Sequence, residues 1–229
     1  MLAVHTLQQT KATTPRDYST SKRVDSIYDD SMIKMRIAEK RMGQLQMNIP
    51  SKDKIFAYEE DGGVYEGQRD EHMHKHGFGI KKWADGSLYI GQWENNQANG
   101  KGWLFHLEGD IYAGDFVHDK GHGMGTYLHV DNTKYVGEWK NDMQHGKGVE
   151  TWPDESRYEG EYKFGKKSGK GKYNWADGSM FDGDWENNAI SGRGVYKWED
   201  GRQYVGDWRD NCMDGDGLYT WADGRRYQG

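Results

Sequence analysis

From residue 65 onward, apolar and polar positions alternate with a period of two, in short runs separated by polar turns, which predicts strands rather than helices. Tyr-x-Gly recurs at Tyr65/Gly67, Tyr89/Gly91, Tyr112/Gly114, Tyr135/Gly137, Tyr158/Gly160, Tyr204/Gly206 and Tyr227/Gly229, with Phe181/Gly183 as a variant. The steps are 24 residues once and 23 six times. A fixed period in this range predicts a repeat array. Each unit continues with an aromatic at the fifth position (Trp93, Phe116, Trp139, Tyr162, Trp185, Trp208), where the first unit has Arg69. A polar loop and a Gly-x-Gly pair follow, such as Gly100/Gly102 or Gly192/Gly194. A run ending at Trp83, Trp152, Trp175, Trp198 or Trp221 (His106 and His129 in two units) leads into a turn, usually Asp-Gly or Glu-Gly.

Side chains two apart on a strand share a face, so rings and bare glycines line one side of the sheet. A ring lying flat on a neighbouring glycine pair compensates for the packing that glycine lacks. The opposite face carries acids on first strands (Glu66, Asp115, Glu138, Glu159, Glu161, Asp182, Asp184, Asp207) and bases on second strands (Lys101, Lys147, Lys170, Lys172, Arg193, Lys197), and reads as a solvated, cross-paired surface. Asp-Gly is a strong hairpin signal. A two-residue turn would place Trp221 and Tyr227 on opposite faces. A three-residue turn with a glycine bulge would bring them together, and is favoured because it gathers the rings. Asp131-Asn132 and Asp154-Glu155 lack the turn glycine, so looser hairpins are expected there.

This pattern resembles the MORN repeat (membrane occupation and recognition nexus). The hallmark stands here as Tyr89-Ile-Gly91-Gln-Trp93-Glu-Asn95 with Gly100-Lys-Gly102, and the resemblance covers about residues 58–229. It implies an all-β fold: an elongated single-layer antiparallel sheet of repeated hairpins. The array spans 65–229, as seven repeats and the start of an eighth. Residues 51–64 read as a linker and entry hairpin, and 1–50 as an extended arm with an amphipathic helix at about 30–47. Met32, Met35, Met42 and Leu45 form the helix's apolar stripe. That stripe suits packing on the sheet, across its N-terminal edge, or docking a partner on an adaptable Met-rich face; its basic flank leaves a membrane-surface role open.

Hydrophobic residues make up 34% of the chain and aromatics 14%, too little aliphatic content for a large globular core and suited to stacked rings. Eight of 31 Lys/Arg and five of 37 Asp/Glu fall within residues 1–50, which gives +3 there and −9 beyond. An acidic array disfavours nucleic-acid and anionic-membrane binding, both of which want a basic surface. The single Cys212 leaves no internal disulfide and points to a reducing compartment. His72, His74 and His76 alternate but lack companions at metal-site spacing, so no metal is expected. The Gly-x-Gly pairs lack the rest of a dinucleotide fingerprint, and the carboxylates recur as a surface pattern. Neither a cofactor nor an enzyme is expected.

The resemblance therefore implies a non-catalytic scaffold or assembly component of the cilium or flagellum axoneme, or of associated cytoskeleton. It would bind partner segments on the aromatic-glycine face, through Tyr89, Trp93, Tyr112, Phe116, Tyr135, Trp139, Tyr158, Tyr162, Trp185, Tyr204 and Trp208. An alternative is phosphoinositide or membrane tethering through the basic patch of Lys163, Lys166, Lys167 and Lys170. A regulatory repeat fragment of a larger enzyme is a further alternative. Residence in the cytoplasm, cytoskeleton or axoneme follows from the scaffold reading.

Overall fold

The computed structural model describes residues 25–229. The arm expected over the first residues lies, through residue 24, outside the described residues. The chain divides into two compact units, whose described parts are residues 25–130 and 131–229.

In the first unit, helix α1 (Tyr28–Met42) precedes β1 (Phe56–Glu60), β2 (Gly63–Arg69), β3 (Lys75–Lys82), β4 (Leu88–Glu94), β5 (Gln97–Phe105), β6 (Ile111–Val117) and β7 (Lys120–Leu128). Each strand pairs antiparallel with the next in chain order. In the second unit, β8 (Lys134–Lys140), β9 (Met143–Thr151), β10 (Arg157–Lys163), β11 (Lys166–Asn174), β12 (Met180–Glu186), β13 (Ala189–Lys197), β14 (Gln203–Arg209), β15 (Cys212–Thr220) and β16 (Arg226–Gln228) repeat the arrangement. Most of the described chain is strand.

Two turn classes alternate. The Asp-Gly turns are three-residue loops: Gly86 N donates to Trp83 O and Trp83 N to Ser87 O, both at 3.0 Å, with Gly86 at φ +94°. This is the bulged geometry, and it sets Tyr219 opposite Tyr227 with Trp221 on the same face. The expected loosening at Asp154-Glu155 does not occur. Glu155 N still donates to Trp152 O at 3.0 Å, and Glu155 itself takes up the left-handed φ of +69°. The polar loops inside each repeat are tighter than the sequence implied. Asn95-Asn96, His118-Asp119, Asn187-Asn188 and Asp210-Asn211 are two-residue turns with positive φ at both residues, the hand that matches strand twist.

The ring-on-glycine packing is present throughout. A Cβ built at Gly102 would stand 2.6 Å from Tyr89 Cε2 and Cζ, and the same ring blocks Gly91. Each tyrosine then closes its own bend: Tyr65, Tyr89, Tyr112, Tyr135, Tyr158 and Tyr204 donate to the carbonyl three residues on, at 2.8–3.1 Å. Phe181 holds the same position without a hydroxyl. Desolvation pushes the Tyr89, Tyr135 and Tyr158 hydroxyls well above their ordinary pKa, so they remain donors.

The second face departs from the expectation of a solvated charged surface. In the first unit it is apolar: Phe78, Ile80, Leu88, Ile90, Trp103, Phe105, Ile111, Ala113 and Leu128 form one buried cluster with Met32, Met35, Ala38 and Met42 of α1. The helix lies on this sheet face rather than across an edge. It also ends earlier than expected, at Met42, because Gly43 leaves the helical region at φ +95°. Leu45 is therefore outside the helix, though it still packs against the cluster. Glu66, read above as a solvated acid, is buried and accepts Ser26 Oγ at 2.8 Å and Ile27 N at 2.7 Å, so the sheet itself caps the helix entrance.

Other acids on that face also have structural partners. In β12–β13, Gly183 faces Gly194 and Trp185 faces Ile190, so residues 191–193 bulge opposite Asp184 alone. Asp184 accepts Arg193 N at 2.9 Å, and Asp115, Glu138 and Asp207 do the same for the N–H groups of Met124, Lys147 and Asp216. The cross-strand pairing expected from the charges is present as Lys101–Asp115 and Lys170–Asp184.

Candidate interaction surface

The rings assigned to partner binding from sequence are placed inside the repeats' own packing. Tyr89, Tyr112, Tyr135 and Tyr158 are inaccessible to solvent, and Trp93, Phe116, Trp139, Tyr162, Trp185, Tyr204 and Trp208 are at most 7% exposed. They meet edge to face across successive repeats, as in Tyr89–Phe116 at 5.0 Å and Tyr158–Trp185 at 5.2 Å. Buried aromatic pairs of this kind stabilise by about 0.5–1.5 kcal/mol beyond their buried area. These residues form the floor of the aromatic face and leave a partner little of their surface. Met32, Met35 and Met42 likewise face the sheet, while Ile33 and Ile37 are exposed on the helix's outer side.

A second set of rings stands above that floor in the unit spanning 131–229. Trp152, Tyr173, Trp175, Tyr196, Trp198 and Tyr219 are half-buried, and Trp221 is exposed. They form an unbroken ladder. Successive ring centres are 5.3, 4.6, 5.1, 4.6, 5.5 and 4.8 Å apart. The ladder arises because a strand pair, Tyr173/Trp175, Tyr196/Trp198 or Tyr219/Trp221, projects to one side, and the bulged turn brings the next pair alongside. The first unit has Lys81, Leu104 and Tyr127 at the positions of these tyrosines, and Trp83, His106 and His129 at those of the tryptophans, so no such ladder forms there. The sequence signal was the Tyr-x-Trp dyad, which marked strand ends without being weighed as a surface.

Cations rest on the ladder. Lys167 Nζ lies 4.8 Å from the Trp152 ring centre and 5.1 Å from that of Tyr158, and pairs with Glu150 at 3.2 Å. Arg202 stacks on Trp198 at 5.2 Å, and Arg225 on Trp221 at 5.6 Å. Planar guanidinium groups on tryptophan faces leave the ring edges for a ligand. Burial raises the Tyr173 hydroxyl above its usual pKa, so it too stays protonated.

The basic patch read as a lipid site is divided by these contacts. Lys167 is engaged as above, and Lys170 pairs with Asp184 at 2.6 Å; Lys163 is exposed and Lys166 half-buried. Among the histidines, His74 Nδ1 sits 3.1 Å from Asp70 Oδ2, and His72 packs on His74 with ring centres 5.9 Å apart. No group of three metal-capable side chains converges among the described residues. Cys212 is exposed. No described helix is long and apolar enough to cross a membrane.

The MORN-repeat family model matches seven segments: residues 74–88, 89–105, 112–134, 135–157, 158–180, 181–201 and 204–225. No curated protein matches the chain. Among solved structures, the chain is similar to the TCP domain of SAS-4 (dCPAP) of Drosophila melanogaster in complex with a proline-rich motif of Ana2 (dSTIL). Identity is 12%, the TM-score 0.43, and the match covers 82% of this chain and 97% of that one. A point-mutant TCP10 domain of Danio rerio CPAP is similar at 12% identity and a TM-score of 0.34, over 80% of this chain and 92% of that one.

Proposed function

Because this chain belongs to the MORN-repeat family, whose repeats build protein-interaction or membrane-associated modules, we propose that it is a non-catalytic scaffold or assembly component. The half-exposed ring ladder from Trp152 to Trp221 is its partner-binding surface. That ladder is the observation that supports the reading. Tyr and Trp give large rigid contact areas at low entropic cost and dominate binding energy where they can be fully desolvated. In this reading the buried floor rings fix the ladder's spacing, and α1 closes the opposite face of the first unit. A place in the axoneme or associated cytoskeleton of a cilium or flagellum, in a reducing compartment, belongs to the same proposal.

The test compares the whole protein with Trp175→Ala/Trp198→Ala by affinity purification from the native source. Both rings are half-buried, so the variant should fold. Loss of axonemal or cytoskeletal proteins from the variant's set is the expected result. The same partners recovered with both forms would overturn the ladder assignment. A set dominated by lipids and membrane proteins would move the reading to tethering.

A further inference from the structure

The unit spanning 131–229 holds a cavity of about 270 Å³ whose walls include Gln144, Glu150, Trp152, Gly165 and Lys167. Its origin is visible in the register of the repeats. Six two-residue turns recur at intervals of 23 residues; five end in Asn or Asp, with Asp142 among them, and at four of these, Asn96, Asp119, Asn188 and Asn211, the side chain makes the same bond. Each side-chain oxygen accepts the main-chain N–H of a residue one repeat back, Lys75, Ala98, Lys167 or Ile190, at 2.7–2.8 Å. Each turn residue returns its own N–H to the carbonyl of that same residue at 2.9–3.1 Å. Gly165 occupies the one remaining position of the six. It keeps the second bond, donating to Gln144 O at 2.9 Å, but has no side chain to supply the first. A Cβ built at Gly165 would meet nothing within 4 Å.

A second observation lies at the same place. Gln144 is only 3% exposed, and its Nε2 is buried with no hydrogen-bond partner. An unmet buried amide donor costs about 1–3 kcal/mol, so such a group marks a place where an acceptor belongs. Across the cavity, Glu150 is 7% exposed and its Oε2 accepts Tyr162 Oη at 3.0 Å and Lys167 Nζ at 3.2 Å.

We propose that this cavity is a subsite for a carboxamide, the asparagine side chain of a partner polypeptide. Its carbonyl oxygen takes the place that Asn and Asp oxygens fill in the four intact turns and accepts from Gln144. Its NH₂ group donates to Glu150. A carboxylate would bring a second negative charge beside Glu150 and leave that carboxylate without a new donor. The proposal rests on the ladder reading in one respect: Trp152 is both the first ring of the ladder and a wall of the cavity. A partner lying along the rings would pass this opening.

The test uses the ¹⁵N-labelled whole protein and N-acetyl-asparagine methylamide as the probe, with the aspartate and alanine analogues as controls. Saturable shifts of the Gln144 main-chain and side-chain amide signals are expected with the asparagine probe and not with alanine; aspartate should bind more weakly. Gly165→Asn fills the vacancy from within. It should raise the melting temperature and abolish the shifts, while Gln144→Leu, which keeps only the main-chain donor, should weaken the shifts of the main-chain signals of residues 144 and 165 with the fold retained. Equal responses to all three probes, persistence of the shifts in Gly165→Asn, or a lower melting temperature for that variant would each overturn the proposal. Trp175→Ala/Trp198→Ala should leave the titration unchanged, so a failure of the ladder reading is told apart from a failure of this one.

Discussion

Gly102→Ala is the sharpest probe of how these repeats are held. The added Cβ would stand 2.6 Å from Tyr89 Cε2 and Cζ, and its three nearest neighbours are all atoms of that ring. The ring cannot retreat without loss. Tyr89 is wholly buried, donates to Gln92 O at 2.9 Å, and meets Trp93 and Phe116 edge to face at 5.0 Å each. Keeping the ring in place against the new methyl costs about 1–3 kcal/mol by overpacking. Expelling it forfeits a hydrogen bond worth about 0.5–1.5 kcal/mol and two ring pairs worth about 0.5–1.5 kcal/mol each. The cheaper route sets the cost, so a loss of about 1–3 kcal/mol is expected. Urea melts of the single variants and of both in a Tyr89→Leu background give the coupling. With the ring gone, most of the cost of Gly102→Ala should disappear. Gly91→Ala is the contrast: its Cβ would also meet Lys101 O and Gly102 Cα, both at 2.6 Å, so its cost should persist in the Tyr89→Leu background. An unchanged cost of Gly102→Ala in both backgrounds, or an equal rescue of Gly91→Ala, would refute the ring-on-glycine account.

Three further outcomes are expected. Glu155→Gly relieves a left-handed non-glycine turn and should stabilise the protein by about 1 kcal/mol in thermal melts, since that conformation costs an L-residue about 1–2 kcal/mol; destabilisation would mean the turn is not where the strain lies. Phe181→Tyr restores the hydroxyl that its six counterparts aim at a carbonyl, here that of Asp184, and should gain about 0.5–1 kcal/mol, read by urea midpoint. Asp119 has its pKa raised by burial, against which its bond from Ala98 N and nearby Lys75 act. A raised folded pKa means that protonation favours the fold: the stability is present below the unfolded value and is lost as pH rises through the folded one. Asp119→Asn, which matches Asn96, Asn188 and Asn211, should therefore be more stable than the parent at neutral pH and converge with it below about pH 4; a constant difference at all pH values would show that the carboxylate's charge is not the cause.

The period, the antiparallel hairpins and the bulged Asp-Gly turns were legible because glycine and Asp-Gly carry their backbone conformation with them. The ring-on-glycine packing followed from strand parity alone. Three features were not read. Treating all repeats as alike hid the apolar second face of the early ones, although Ile80, Ile90 and Trp103 alternate with the glycine face as plainly as the acids do later. That face is what α1 covers. The acids Asp184 and Glu138 looked like solvent-facing charge because the bulge they serve has no sequence mark beyond the Gly-x-Gly pair itself. The candidate surface read from the sequence falls on the buried layer of rings: the fifth-position aromatics carry the stronger motif, but that motif marks the floor here, and the Tyr-x-Trp dyads standing on it carry the exposed area.

The buried cluster that joins α1 to residues of five successive strands has a mechanical consequence. In the first unit the helix shares one buried cluster with residues from β3 to β7, so pulling any of those hairpins out also opens that cluster, and the unit should yield as a block. In the second unit each repeat is held by its neighbours' rings and turn bonds, as in other nearest-neighbour arrays. Under load it should peel one hairpin at a time, paying out slack in steps of 23 residues, at lower force than the helix-backed block needs to give way.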